Sequence, residues 1–215
     1  MKLYNNYCTP GFSNSYVLGV DDAPASPDLA KREAIIIDPG AMDSETLANI
    51  ENNNYSLEAI LLTHDHTPHT AGLRSLKRIY DVEIYAASKS VLEYKSNIVR
   101  DGDIIHIGGS FTVQVFSVPG HSVDSVVYKI DNLLFTGDVL TAGLLGSTAS
   151  SFGAMRQITT IQNKIFALSG DLIVLPGHGP PSTLNIERKF NVGIGLYQEK
   201  MSKSEKPNFW LNLLE

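Results

Sequence analysis

The chain has 215 residues, 43% of them hydrophobic, which suits one domain with a sizeable core. One cysteine, Cys8, excludes an internal disulfide and any four-cysteine zinc site, and a net charge of −6 argues against nucleic acid or an anionic membrane as the main partner. No apolar run reaches the roughly 18 residues of a membrane span, and the opening MKLYNNYCTP has no apolar signal stretch, so the expected location is the cytoplasm.

In chain order, residues 2–7 and 14–20 are predicted strands, and the polar stretch 21–32 an exposed hairpin loop. Residues 34–38 form a buried strand closed by Pro39-Gly40, and Asp43 caps a helix with Leu47 and Ile50 on one face. Residues 57–62 form a strand that runs into THDHTPH, followed by a helix with Leu73, Leu76 and Ile79 at helical spacing. Strands follow at 82–85, 103–107 and 111–118, then a hairpin of 125–130 and 133–136 turned at Asp131-Asn132. Residues 139–153, rich in Gly, Ser, Thr and Ala, suit a mobile loop beside a site. Residues 155–168 form a helix and 172–175 a strand ending in PGHGP; Thr183 then caps a last long helix carrying Ile186 and Phe190. The tail 200–215 is polar up to Phe209-Trp210-Leu211, which would cap the core or join a partner chain. No short repeat appears, so the whole of 1–215 is expected to be one domain of two strand-rich halves with helices outside.

The histidines carry the functional signal. There are six, and five of them sit in THDHTPH, PGHS and PGHGP, each in a loop that follows a predicted strand. Strand ends are rigid supports that can aim several loops at one point. His64 and His66 stand one residue apart on extended backbone, which turns both rings to one side and lets them chelate one ion. His69 opens the next helix, His121 follows Val118-Pro119-Gly120, Asp138 ends the strand LLFTGD, and His178 lies between glycines. His106, away from these motifs, is expected to be a structural or surface residue, and Cys8 a small buried hydrophobe. Asp38 in DPG either orients a ligand histidine or simply makes a turn.

THDHTPH, PGHS, FTGD and LPGHGP, in that order, resemble the metallo-β-lactamase superfamily, close to its glyoxalase II-like hydrolases, over nearly the whole chain. The resemblance implies an α/β fold, a four-layer αβ/βα sandwich with the metal site at one edge of the paired sheets. It implies that His64, His66 and His121 hold one metal ion, and that Asp138 bridges to a second held also by His69 and His178. It further implies Zn2+, with Fe2+ or Mn2+ as alternatives, a small-molecule substrate, and a metal-bound water as the nucleophile beside Asp138 and His178.

Position 68 departs from the family's HxHxDH pattern: Pro68 replaces an aspartate that binds the second metal, and proline has no side-chain ligand. Its local fit is good, with Thr67 as helix N-cap and Pro68 as first helical residue. One firmly held ion and a weak or empty second position are therefore expected. Asp65 and Asp124 are the nearby carboxylates that would compensate, although the place of Asp65 in the motif normally faces away from the metals. The loop after Asp138 also lacks the Arg-Asp pair of many short relatives, and Arg156 is its nearest basic side chain. The leading expectation is a metal-dependent thioester or ester hydrolase. Two alternatives stand beside it: a mononuclear iron enzyme resembling persulfide dioxygenases, using His64, His121 and Asp138, and a metal-binding descendant that turns nothing over.

Overall fold

The structure, a computed structural model, describes residues 1–9, 11–21 and 31–204. The tip of the expected 21–32 loop and the aromatic tail beyond 204 lie outside the described residues. The first half supplies β1 (Lys2–Cys8), β2 (Ser13–Gly19), β3 (Arg32–Ile37), α1 (Ser44–Glu51), β4 (Tyr55–Leu61), α2 (Thr67–Thr70), α3 (Leu73–Ile79) and β5 (Glu83–Ala86). The small hairpin of β6 (Ser90–Val91) and β7 (Tyr94–Lys95) follows, then β8 (Asn97–Ile98). The second half supplies β9 (Ile104–Ile107), β10 (Phe111–Ser117), β11 (Val126–Ile130), β12 (Leu133–Gly137) and a hairpin of β13 (Leu140–Thr141) and β14 (Leu144–Leu145). Next come α4 (Ser151–Thr160), which runs into a π-helical turn (Ile161–Ile165), β15 (Ile173–Pro176), β16 (Ser182–Thr183), α5 (Leu184–Phe190) and α6 (Val192–Ser204). Two six-stranded sheets result, ordered β1-β2-β3-β4-β5-β8 and β16-β15-β12-β11-β10-β9.

The alternation of side chains along each strand makes the layers. In β3, Ile35 and Ile37 point to one side and pack with Val113, Val115, Tyr128 and Phe135 of the other sheet. Ala34 and Ile36 point to the opposite side, where Ile50 of α1 and Leu73 and Leu76 of α3 cover them. The second sheet does the same with Val127, Leu134 and Val174, covered by Ile161 and Ile165 of the π turn, Leu184 and Ile194. Helix, sheet, sheet and helix are thus stacked as the four-layer αβ/βα sandwich expected from the motifs. Continuous apolar runs such as AIII are needed because β3 and β4, a parallel pair, are covered on both faces.

Several element details differ from the periodicity reading. Asp43 does cap α1, accepting the Thr46 N–H at 2.8 Å, but Thr46 and Ile50 are the buried pair and Leu47 is exposed. Ile79 likewise faces solvent. Residues 139–153 are not one open loop: they form the β13–β14 hairpin, and α4 begins at Ser151 because the Ser150 side chain accepts the Gly153 N–H. Thr183 caps α5 as expected, yet that helix stops at Phe190 instead of running on. Asn191 leaves helical geometry and its Oδ1 accepts the Ile194 N–H, which starts α6 as a separate helix. Ile186 and Phe190 are exposed, and the buried face of α5 is Leu184 and Glu187.

Strand direction positions the site. β3 and β4 run parallel, so Asp38 and the 62–66 loop leave the first sheet at one edge. β12 and β15 are parallel, and β10 is antiparallel to β11, which is antiparallel to β12. β10, β12 and β15 therefore all end at one edge of the second sheet, releasing His121, Asp138 and His178 together. Bonds across the seam hold the two edges in register: Val126 N–H donates to the Thr63 carbonyl at 2.8 Å and the Tyr128 hydroxyl to the Leu62 carbonyl at 3.0 Å. On the other flank Asn14 Nδ2 and the Tyr16 hydroxyl both donate to the Pro176 carbonyl, at 3.0 and 2.7 Å.

Candidate metal centre

His64 follows β4 in a segment that is fully enclosed, and its Nδ1 lies 3.1 Å from Thr63 Oγ1. Thr63 Oγ1 donates to Asp38 Oδ2 at 2.6 Å, so its lone pairs face the imidazole and favour the proton on Nδ1. Nε2 of His64 is then an open lone pair, buried and without any hydrogen-bond partner. His66, two residues on, is exposed and presents Nδ1 at 3.0 Å from Nε2 of His121. The His121 ring is fixed from behind by Nδ1, 2.7 Å from the Ser147 carbonyl, which likewise leaves Nε2 free to face inward. The ring nitrogens of His64, His66 and His121 fall within 4.8 Å of one another, the spacing of donors around one ion.

A second set adjoins the first. His69, completely buried on α2, lies between two carboxylates: Nδ1 is 3.2 Å from Asp38 Oδ2 and Nε2 is 3.3 Å from Asp138 Oδ1. Neither contact has the alignment of a hydrogen bond, so they are charge contacts. His178 donates from Nδ1 to the Phe12 carbonyl at 2.8 Å and turns Nε2 to Asp138 Oδ2 at 3.4 Å. Asp138 Oδ2 also lies 3.5 Å from His121 Nε2 and 3.9 Å from His64 Nε2, which places this one carboxylate between both sets. Glycine makes the approach possible. A Cβ at Gly177 would come within 2.4 Å of Asp138 Oδ1 and 2.5 Å of the His69 ring; one at Gly137, whose φ is +49°, would strike Thr63 Oγ1 at 2.3 Å.

The electrostatics are those of a cation site. Burial, and after it the neighbouring His69, push the His64 pKa down to about 4. Burial works against a charged His69, but the Asp138 and Asp38 carboxylates outweigh it and raise its pKa to about 10. Burial would also favour protonated Asp138, yet His69, then His64 and His178, hold its carboxyl down at about 2. The buried, unpartnered His64 Nε2 and Asp138 Oδ1 are costly in a folded protein unless something positive meets them, and the two carboxylates beside His69 favour positive charge at the same place. The donor set fits a divalent metal: imidazole nitrogens with one shared carboxylate.

Position 68 is filled differently from a ligand. α2 begins after His66, which is the N-cap, so Thr67 is the first helical residue and contributes no side-chain cap; Pro68 stands one position further in than expected. There its missing N–H still costs nothing. The Pro68 carbonyl accepts the Ser13 hydroxyl at 2.5 Å, and its ring packs so closely on Gly11 that a Cβ there would lie 2.7 Å from Pro68 Cβ. Asp65 and Asp124 do not join the convergent donors among the described residues. Asp124 instead ties loops together, accepting the Asp65 N–H at 3.1 Å, the Ser88 hydroxyl at 3.3 Å and the Ser122 hydroxyl at 2.7 Å. His106 is exposed, beside Thr112, and Cys8 is buried. Asp38 orients rather than merely turns, with φ at +49° and its oxygens on Thr63 and His69. Thr63, and the carbonyls of Phe12 and Ser147, are supports that the motif reading did not single out. Thr63 had a signal, its place just before His64; the two carbonyls, being backbone, had none.

Comparison with known proteins points to one family and one fold. A family model described as the metallo-beta-lactamase superfamily matches residues 8–178. The chain is 29% identical over 185 residues to the hydroxyacylglutathione hydrolase of Haemophilus influenzae, covering 75% of this chain and 87% of that protein. Among solved structures, the BLEG-1 B3 metallo-beta-lactamase superposes with a TM-score of 0.75 at 28% identity, over 90% of this chain and 99% of that one. ETHE1 from Myxococcus xanthus superposes with a TM-score of 0.76 at 22% identity, over 97% and 93% of the two chains, a likeness of fold.

Proposed function

The chain belongs to the metallo-β-lactamase superfamily, and on that premise we propose that it is a metal-dependent hydrolase of a thioester or related ester of a small metabolite. The observation that carries the reading is the convergence of buried, unpartnered donor atoms of His64, His69 and Asp138 with the inward-facing nitrogens of His66, His121 and His178. In this proposal His64 Nε2, His66 Nδ1 and His121 Nε2 hold one ion, Zn2+ in first place and Fe2+ or Mn2+ as alternatives. Asp138, with His69 and His178, forms a second position, and without a carboxylate from residue 68 it holds an ion weakly or not at all. A bound ion supplies Lewis acidity, polarising a carbonyl and bringing the pKa of a water toward about 7.

The chain's own residues do the positioning. Thr63 and Ser147 fix the tautomers of His64 and His121, and Phe12 that of His178, so each ring keeps an unprotonated nitrogen directed inward. Asp138 Oδ2, held ionised by the histidines around it, is placed to accept a hydrogen bond from a nucleophilic water and so to orient it. A thiolate departs without prior protonation, so a thioester asks least of this set of residues. The relative named hydroxyacylglutathione hydrolase supports a thioester substrate. Glutathione specificity is left out, because the loop after Asp138 lacks the Arg-Asp pair.

Elemental analysis of untagged protein, paired with a panel of thioesters, esters and lactams, tests the reading. One firmly held ion per chain and turnover that chelator removes and metal restores are expected. Two ions surviving dialysis would sink the stoichiometry, and no metal-dependent turnover on the panel would sink the activity. A second reading, an iron enzyme acting on a persulfide with oxygen, is favoured by one observation: Asp138 Oδ2 faces both His64 and His121, a two-histidine, one-carboxylate set. Iron content together with oxygen uptake on a persulfide would select it over hydrolysis. The reading as a binding protein without turnover is selected by bound metal and silence in both assays.

A further inference from the structure

His121 belongs to two features at once. Its Nε2 faces the candidate centre, and its flank lines an open groove of about 280 Å³ beside that centre. One wall of the groove is the loop carrying Pro119 and Val123; the other is the start of α4, with Phe152 and Arg156. Ser150 fixes where α4 begins, and the spacing of Phe152 and Arg156, four residues apart, puts both on one side of the helix. Val123 is 92% exposed and Phe152 65% exposed, so two large apolar side chains stand open to water next to the reacting centre. The groove is concave and mostly apolar, as small-molecule sites are.

Arg156 is the polar feature of that groove. Neighbouring cations on the same side of the second sheet are engaged: Lys164 pairs with Asp101 at 2.7 Å, and Arg188 donates to the carbonyls of Phe166 and Gly170. The Arg156 guanidinium makes no hydrogen bond or ion pair among the described residues. The chain as a whole carries −6, so its overall field disfavours an anionic ligand and a cation at the far end of the groove helps to seat one.

We propose that this groove selects the substrate: it takes an apolar arm attached to the scissile bond, packed between Val123 and Phe152, whose far end is an anion, a carboxylate in the simplest case, paired with Arg156. The inference rests on the hydrolase reading and names its substrate class. A planar guanidinium suits a carboxylate in a two-point contact.

The test compares S-acetyl mercaptohexanoate with S-acetyl hexanethiol, two thioesters with the same scissile bond that differ in one terminal carboxylate. The metal-loaded wild type should prefer the carboxylate in kcat/KM by about five-fold, in line with an exposed ion pair, and salt should erode the preference. Arg156→Gln should abolish that ratio, whereas Arg74→Gln, at an exposed pair between α3 and Glu93 of the β6–β7 hairpin, should leave it intact. Phe152→Ala should raise KM for both thioesters. A wild type without preference, or Arg156→Gln with the preference unchanged, overturns the groove assignment while the hydrolase reading stands. If neither thioester turns over, the hydrolase reading is what has failed. Binding of the non-hydrolysable S-ethyl thioether of mercaptohexanoate, followed by saturation-transfer NMR, then decides the groove: contact with the wild type that Arg156→Gln and Phe152→Ala both weaken supports it, and no contact rejects it.

Discussion

The two halves of the candidate centre are equally well supported but differ at position 68. In the His64, His66 and His121 set, the two rings with known supports are held by Thr63 and the Ser147 carbonyl. In the second set, His178 is held by the Phe12 carbonyl and His69 is placed against Asp38. Pre-organisation therefore does not distinguish them. What distinguishes them is position 68, where a proline ring seals the turn against Gly11 and no carboxylate oxygen is offered. Position 68 can thus lack a carboxylate without disturbing the supporting bonds of the candidate ligands, because those supports reach the rings from behind. The lesson is that intact geometry and full charge neutralisation are separate properties of such a site.

The sharpest way to break the comparison is to delete one ring from each set. On the proposed one-ion reading, His121→Ala should abolish metal retention and lower any hydrolysis by about 100-fold or more, whereas His178→Ala should leave the metal content unchanged. Metal analysis of both proteins checks this, and equal loss from both would erase the distinction between the sets. Asp38→Asn comes next. It weakens the support shared by Thr63, and through it His64, and by His69, so metal affinity should fall about 10- to 100-fold. A competitive chelator titration reads that change, and unaltered affinity would mean the Asp38–Thr63 relay is only architectural.

Pro68→Asp sharpens the comparison from the other side. It restores an anionic donor, so affinity for a second ion should rise by about ten-fold, at some cost in melting temperature from lost packing on Gly11. Calorimetric titration showing still one ion would indicate that charge was not the missing quantity. The smallest effect belongs to Asp124→Ala. Its oxygens tie three loops together, so stability should drop by about 1 kcal/mol while metal content per chain stays the same. A fall in metal content with an intact fold would return Asp124 to the list of ligands.

Strand ends and histidine spacing were the legible part of this molecule. A short apolar run such as AIII, closed by Pro39-Gly40, suits a strand covered on both faces, and the loops that follow such strands carried the clustered histidines. Helix faces were less legible, because one apolar residue fits either side of a short helix. Leu47 and Ile79 looked like core and are exposed, while Thr46 is buried. α5 shows the cause most clearly. Beside Leu184 its buried face holds Glu187, whose carboxylate accepts the Gly143 N–H, the Ser182 hydroxyl and the Asn191 amide, a satisfied polar network that hydrophobic periodicity cannot reveal. The same network secures the β13–β14 hairpin, which composition alone had suggested to be a mobile loop. At the centre, the carbonyls that fix His121 and His178 were invisible for another reason: any residue type supplies a carbonyl, so Ser147 and Phe12 left no mark in the letters.

The seam between the sheets has one further consequence. His64, His66 and His69 ride on the first sheet, and His121, Asp138 and His178 on the second, with Val126 to Thr63 and Tyr128 to Leu62 stitching the edges. An ion gripped across that line is a clasp between two leaves of a book. It can close only when the leaves are already aligned, so each increment of binding is also resistance to the leaves parting. Free metal at 100 times its dissociation constant should therefore strengthen the closed form by roughly 2.7 kcal/mol, making the melting point of this protein a gauge of the metal supply around it.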